Sequence, residues 1–296
     1  MKVGIIYTLG AYILWGVLPI YWKLLDHVEP MEVLAHRIIW SFIFMIVLLA
    51  ATKQFRSFFE ACRKMFIQRK EFVGMFLASL LISTNWLVFI WAVANDYVLQ
   101  ASLGYYINPL VSIFLGVIVL REKLTTRQVI AFILCIIGVG YLTFSAGVFP
   151  WISLVLAFTF ALYGLLKKKI DISAAHGLAF ETMLVWPLAA GYLFFLPVQT
   201  FSLSFVPSIT DLLLIGTGFA TAVPLLLFAK GAKSIPLSLV GILQFINPTM
   251  IFFISIFVFH EPFSKEKFIA FLFIWSALFL YLSTVYHHPA RKRADI

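Results

Sequence analysis

Read for polarity alone, the chain alternates long apolar runs with short polar breaks. A helix needs about 20 apolar residues to cross a hydrocarbon core. Ten runs reach that scale, over 4–24, 33–52, 72–94, 98–120, 128–145, 149–166, 177–197, 211–230, 236–258 and 267–286. The pattern predicts an all-α polytopic membrane protein with ten transmembrane helices. The longest polar break, 53–71, sets Phe55, Phe58, Phe59, Cys62 and Phe66 at helical spacing opposite Arg56, Arg63, Lys64 and Arg69. It fits a helix lying on the membrane surface and a solvated basic loop equally well. The first run continues to Leu25 through Trp15 and Pro19 without a clear cleavage site, so it is expected to be a span and not a removable signal.

Within this pattern one stretch occurs twice. Ile107–Asn108–Pro109 leads to Glu122 and Ile130–Ala131–Phe132, and 139 residues later Ile246–Asn247–Pro248 leads to Glu261 and Ile269–Ala270–Phe271. Nine of the 26 positions from Ile107 to Phe132 are identical to their partners without a gap. Weaker pairings extend the match: Leu87 and Phe89 with Leu226 and Phe228, Trp15–Gly16 with Tyr163–Gly164, and Leu34–Ala35 with Leu178–Ala179, which sets Arg37 opposite Glu181. Internal similarity of this kind marks a duplication. The expected organisation is a first five-helix repeat over 1–145, a second over 149–286 and a basic tail over 287–296. Because each copy holds an odd number of spans, the second must lie upside down relative to the first, the inverted-repeat architecture of many secondary transporters.

Composition settles the solvent. The chain is 62% hydrophobic and 12% charged with a mean hydropathy of +1.02, against about 45–50% apolar and about 25% charged in soluble domains. Its lipid bilayer is expected to be a bacterial inner membrane. The net charge of +9 sits in short loops between spans, which argues for cytoplasmic loops and against nucleic acid as a partner. With a cytoplasmic N-terminus, the inner side receives Lys2, the six Lys and Arg from Lys53 to Lys70, Arg121, Lys123, Arg127, Lys167 to Lys169, Lys230, Lys233 and Arg291 to Arg293, which is 18 of 22. Lys23, Lys265 and Lys267 fall outside, and Arg37 lies within a span. An even number of spans returns the C-terminus to the cytoplasm. Cys62 and Cys135 suggest no disulfide framework, and nothing in the sequence sets the oligomeric state, for which a monomer is plausible.

These residues carry a resemblance. A ten-span chain with an Asn-Pro and a following acidic residue after each fourth helix resembles the drug/metabolite transporter superfamily and its EamA-type exporters. Leu14–Trp15–Gly16 to Pro19, Tyr21–Trp22–Lys23, Glu32 to Ser41 and Asn85–Trp86 are similar to the RarD group within it. The resemblance covers essentially the whole chain. It implies a permease of small organic molecules such as amino acids or amphipathic drug-like solutes, working by alternating access in the outward direction; the group's association with chloramphenicol sensitivity names a phenotype, not a substrate.

Candidate site residues follow from cost. Ionisable side chains within a span are expensive and face a pathway or a partner, which singles out His36, Arg37 and Glu181, with Lys230 at a helix end. Arg37 could meet a substrate carboxylate, and Glu181 could bind a cation or a proton. Snorkelling to a membrane face is the competing reading for both. Pro109 and Pro248 free the carbonyls of Tyr105 and Gln244, and Asn108 and Asn247 lie three residues on, on the same helix face. That stripe of Tyr105, Asn108, Gln244 and Asn247 either lines a cavity or is satisfied by packing. Trp15, Trp86, Trp91, Tyr105, Tyr106 and Tyr163 could form cavity walls, and the resemblance adds weight to Trp15, Asn85 and Trp86.

A membrane enzyme or a non-transporting scaffold or receptor is the alternative. No His-Glu-x-x-His, aspartate cluster, Gly-x-Ser-x-Gly or phosphate-binding glycine loop is present, so neither catalysis nor a cofactor is expected. A scaffold offers no reason for an inverted duplication.

Overall fold

The computed structural model describes residues 1–202, 207–260 and 262–287, and among them every regular element is a helix. In chain order these are α1 (Lys2–Lys23), α2 (Pro30–Ala51), α3 (Phe55–Ile67), α4 (Arg69–Ala94), α5 (Val98–Ile118), α6 (Thr126–Ser145), α7 (Trp151–Lys169), α8 (Ala174–Phe195), α9 (Ile209–Ser234), α10 (Leu237–Gln244), α11 (Ile246–Phe257) and α12 (Lys265–His287). Ten helical stretches are long and apolar enough to cross a membrane, with α10 and α11 together forming one of them. The segment that sequence left between helix and loop is helical: α3 buries Phe58, Cys62 and Met65 and leaves Phe59 and Phe66 exposed. The Arg–Lys–Arg cluster and most of the 287–296 tail lie outside the described residues, as does Glu261.

Helix ends are set by local chemistry. Thr125 and Gln128 form a capping box on α6, and Ser208 and Asp211 form one on α9. Pro30 opens α2, where its missing N–H costs nothing, while the Glu29 carboxylate accepts from Glu32 N. Arg121 (φ 54) and His260 (φ 55) both adopt the left-handed conformation, which costs a non-glycine residue about 1–2 kcal/mol. They stand 139 residues apart at equivalent points of the two copies, just after the fourth span of each. The duplicated text therefore folds into the same turn twice.

Packing repeats the same relationship. When α1, α2, α4, α5 and α6 are exchanged with α7, α8, α9, α10–α11 and α12, the principal helix pairs map on to one another. The pair α1 and α9 becomes α7 and α4; α5 and α7 becomes α10–α11 and α1; α2 and α9 becomes α8 and α4. Three pairs map on to themselves, α2 with α8, α5 with α10–α11, and α6 with α12. Nearly all close packing thus runs between the copies and little within either.

The pseudo-symmetry is broken between the fourth spans, as it is by α3, which has no helical counterpart among the described residues. α5 continues through Pro109, whereas the matching span breaks at Phe245, whose N–H reaches only to Ile242 O at 3.4 Å. α5 packs closely along α10 and barely touches α11. The two fourth spans are therefore pressed together at one end of the bundle and apart at the other. The pressed end carries Lys2, α3, Arg121 to Arg127, Lys167 to Lys169 and Lys233, and is called the basic end below.

Small residues permit this approach, as in other membrane helix pairs. A Cβ on Gly241 would stand 2.7 Å from the Pro109 carbonyl oxygen and 3.1 Å from Ile113 N, both backbone atoms that cannot swing aside. Gly241→Ala is expected to force α10 off α5 and lower stability by about 1–3 kcal/mol, the usual cost of overpacking. Denaturation midpoints of the two proteins in micelles check it, and an unchanged midpoint contradicts the close approach.

Candidate functional site

Two polar centres lie inside the bundle. The first is built around Arg37 on α2, two turns from the helix start and half-buried. Its Nε donates to Thr221 Oγ1 on α9 at 3.1 Å. Its guanidinium carbon lies 4.8 Å from the ring centre of Trp22 on α1 and 5.4 Å from that of Trp86 on α4, and Tyr105 on α5 is close enough to feel its charge. Five helices thus converge on one cation. Tyr21 helps to hold α1 here by donating its hydroxyl to the Leu213 carbonyl of α9. Among the described residues, Arg37 forms no ion pair with a carboxylate. An uncompensated guanidinium at this depth is costly, and the aromatic faces offset only part of that cost, about 0.5–2 kcal/mol each. Its remaining N–H donors form a fork suited to a carboxylate.

The second centre lies toward the basic end. Glu181 on α8 accepts from Lys167 Nζ at 2.7 Å and from the Tyr163 hydroxyl at 3.0 Å, both on α7. Lys167 and Glu181 are 2% and 3% exposed, so this is an ion pair enclosed by protein. Lys167 gives no signal of this in the sequence, because it stands in a run of three lysines at a helix end and reads as loop charge. Tyr163 joins an aromatic cluster with Tyr12, Trp15, Phe160 and Phe228.

The remaining candidates divide. Asn85 donates to Leu156 O at 2.8 Å and Thr159 Oγ1 at 2.9 Å, which ties α4 to α7. Asn108 is buried and accepts from Ser112 at 3.4 Å. Gln244 Oε1 and Asn247 Oδ1, on either side of the Phe245 break, are buried with no hydrogen-bond partner among the described residues. His36 is buried beside Phe201, 4.0 Å from Glu32 and with neither ring nitrogen hydrogen-bonded. Glu32 in turn accepts from Thr200 N and Oγ1 and from Phe201 N, which straps the α8–α9 connection across α2. Six of the candidates fall in two groups, Arg37 with Trp86 and Tyr105, and Glu181 with Tyr163 and Trp15, while His36, Asn85, Asn108, Gln244 and Asn247 stand outside both. Trp22 and Thr221 complete the first group without any prior signal beyond the text around Trp22.

The basic end is closed by charge-assisted contacts. Glu122, in the loop after α5, accepts from Leu237 N at 2.6 Å and Ser238 N at 2.9 Å and so caps α10. Lys168 donates to the carbonyls of Ala232, at 3.1 Å, and Ile235, and Lys233 donates to those of Ile170, at 2.7 Å, and Ile172. A small cavity on the scale of one water molecule, its exposed walls apolar, borders Glu181 and Trp86.

Comparison with known proteins gives the chain relatives along nearly its whole length. The sequence matches the model of the EamA-like transporter family over residues 2–144 and again over 150–283. It is 47% identical over 281 residues to the uncharacterized transporter YojE of Bacillus subtilis, covering 95% of this chain and 93% of that protein. It is 43% identical over 281 residues to the protein RarD of Escherichia coli, covering 94% and 93%. One solved crystal structure shares the fold with a TM-score of 0.71 at 15% identity, covering 95% of this chain and 98% of that one.

Proposed function

The chain belongs to the EamA-like transporter family, and from that premise we propose that it is a secondary carrier exporting small organic solutes by alternating access. The basic end is its cytoplasmic face, as the distribution of Lys and Arg argues, with both termini on that side of a bacterial inner membrane. The solute carries a carboxylate and an apolar or aromatic body, as amphipathic amino acids do.

The observation that carries this reading is Arg37, a cation without a carboxylate partner among the described residues, boxed by Trp22 and Trp86 where five helices meet. A carboxylate arriving there meets a ready guanidinium fork, and its apolar part meets aromatic faces. The bundle's asymmetry supports the alternating part. Two copies related by inversion can exchange conformations, and here the contact between the fourth spans is made at one end only.

The test is flux in proteoliposomes with radiolabelled phenylalanine, tryptophan and phenylacetate, with phenethylamine as the analogue lacking a carboxylate. Saturable movement of the acids and none of the amine is expected. No flux and no binding across the panel, at matched and at opposed pH, overturns the reading.

A further inference from the structure

We propose that the start of α4 binds one anionic phospholipid, with the lipid phosphate on Arg69 and Lys70 and an acyl chain in the groove that runs on from them. The site goes beyond the carrier reading and stands whether or not the chain moves a solute.

A shallow groove of about 410 Å³ is lined by Arg69, Lys70, Val73, Gly74 and Leu77. This spacing keeps all five on one face of α4, along about 12 Å of helix at a rise of about 1.5 Å per residue. Val73 and Leu77 are exposed, and the wall of the groove is almost wholly apolar. Gly74 forms part of its floor, and Ile170, at the end of α7, stands 3.1 Å from where a Gly74 Cβ would be. α4 is long and apolar enough to cross the membrane counted from Arg69. Its first turn therefore lies at the level of the lipid phosphates, and Val73 to Leu77 lie just inside the hydrocarbon.

The charge at the head of the groove is open. Arg69 and Lys70 are exposed, and neither forms an ion pair among the described residues. The neighbouring carboxylates of Glu71 and Asp171 lie close enough to Lys233 to interact with it. Lys169, also exposed, ends α7 one residue before Ile170 and adds a third cation to this side. Gln68 gives α4 no side-chain cap, so the first backbone N–H groups lack an acceptor within the helix and the positive end of its dipole faces the same place. A helix start of this kind suits a phosphate oxygen.

The matching helix of the second copy does the reverse. α9 begins with Ser208 and Asp211 capping each other, and its first turn, Ile209 to Leu212, carries an acidic residue and no basic one. The open, basic start of α4 is therefore a property of these residues and not of the duplicated fold.

A cationic rim over an apolar groove at membrane depth matches one lipid, phosphate on the rim and chain in the groove. Free phosphate would leave the groove unfilled. A second copy of this chain docked here about a two-fold axis would set these cations against their own counterparts.

Native mass spectrometry of the full chain in micelles, titrated with phosphatidylglycerol or with phosphatidylcholine of the same acyl chains, tests the site. The parent is expected to hold one phosphatidylglycerol about tenfold more tightly than phosphatidylcholine, the scale set by two cations beside an anionic headgroup. Arg69→Gln with Lys70→Gln should abolish that preference. Arg63→Gln with Lys64→Gln, the same change of charge on α3, should keep it. Leu77→Trp, which fills the groove, should weaken both lipids. All five side chains are exposed, so their replacement leaves the core untouched. Inorganic phosphate in excess should not displace the lipid. Equal affinity for the two lipids, an equal loss in the α3 variant, unchanged binding in Leu77→Trp, displacement by phosphate, or a lipid-free dimer in place of the lipid adduct overturns the site.

Discussion

Lys167→Met is expected to destabilise the folded protein by about 3–5 kcal/mol, the cost of breaking a buried pair and leaving one charge behind. The stranded group is Glu181, 3% exposed and left with only the Tyr163 hydroxyl. Methionine has nearly the length of lysine, so the loss is electrostatic and not a cavity effect. Adding Glu181→Gln should bring stability back to within about 1 kcal/mol of the parent, because a neutral amide beside a thioether needs no counter-ion. Denaturation curves of the single and double variants in micelles measure both numbers. A single variant as stable as the parent means that solvent reaches the pair and that the desolvation argument fails.

Arg37→Met has the opposite signature. Losing a hydrogen bond to a charged group costs about 1.5–3 kcal/mol, so affinity for phenylalanine or phenylacetate should fall about 10- to 150-fold. Stability should hold or rise, since a lone cation has been removed from the bundle. Arg37→Lys keeps the charge but gives up the planar face that lies against Trp22 and Trp86, and it should fall between the two. Binding titrations paired with denaturation curves separate these effects. If Arg37→Met weakens stability and leaves affinity intact, the guanidinium is a strut between α2 and α9 and the solute binds elsewhere.

The ten spans were legible because an apolar run of about 20 residues has one common use in a polytopic chain. The repeated stretch stood out because its best match needs no gap. The break at Phe245 was not, since Phe245–Ile246 before Asn247–Pro248 differs little in kind from Tyr106–Ile107 before Asn108–Pro109, where α5 stays continuous. Arg37 stood out as a solitary charge in an apolar run. Its partners did not, because Trp22 lies 15 residues back and Thr221 lies 184 residues on, and only the packing of α1, α2 and α9 unites them. Lys167 hid in plain charge: counting basic residues for orientation treats three consecutive lysines alike, whereas α7 turns one of them inward and sends Lys168 to the Ala232 carbonyl.

The cross-copy packing has an implication for which parts move. A five-helix copy has little core of its own, and swinging it as one piece would shear α1 from α9, α5 from α7, α2 from α8 and α6 from α12 together. Pairs drawn from both copies are the stiffer bodies. In the proposed alternating-access cycle the unit that moves would therefore not be a five-helix copy, and a cut in the loop at 146–150 would separate the copies without freeing a moving body.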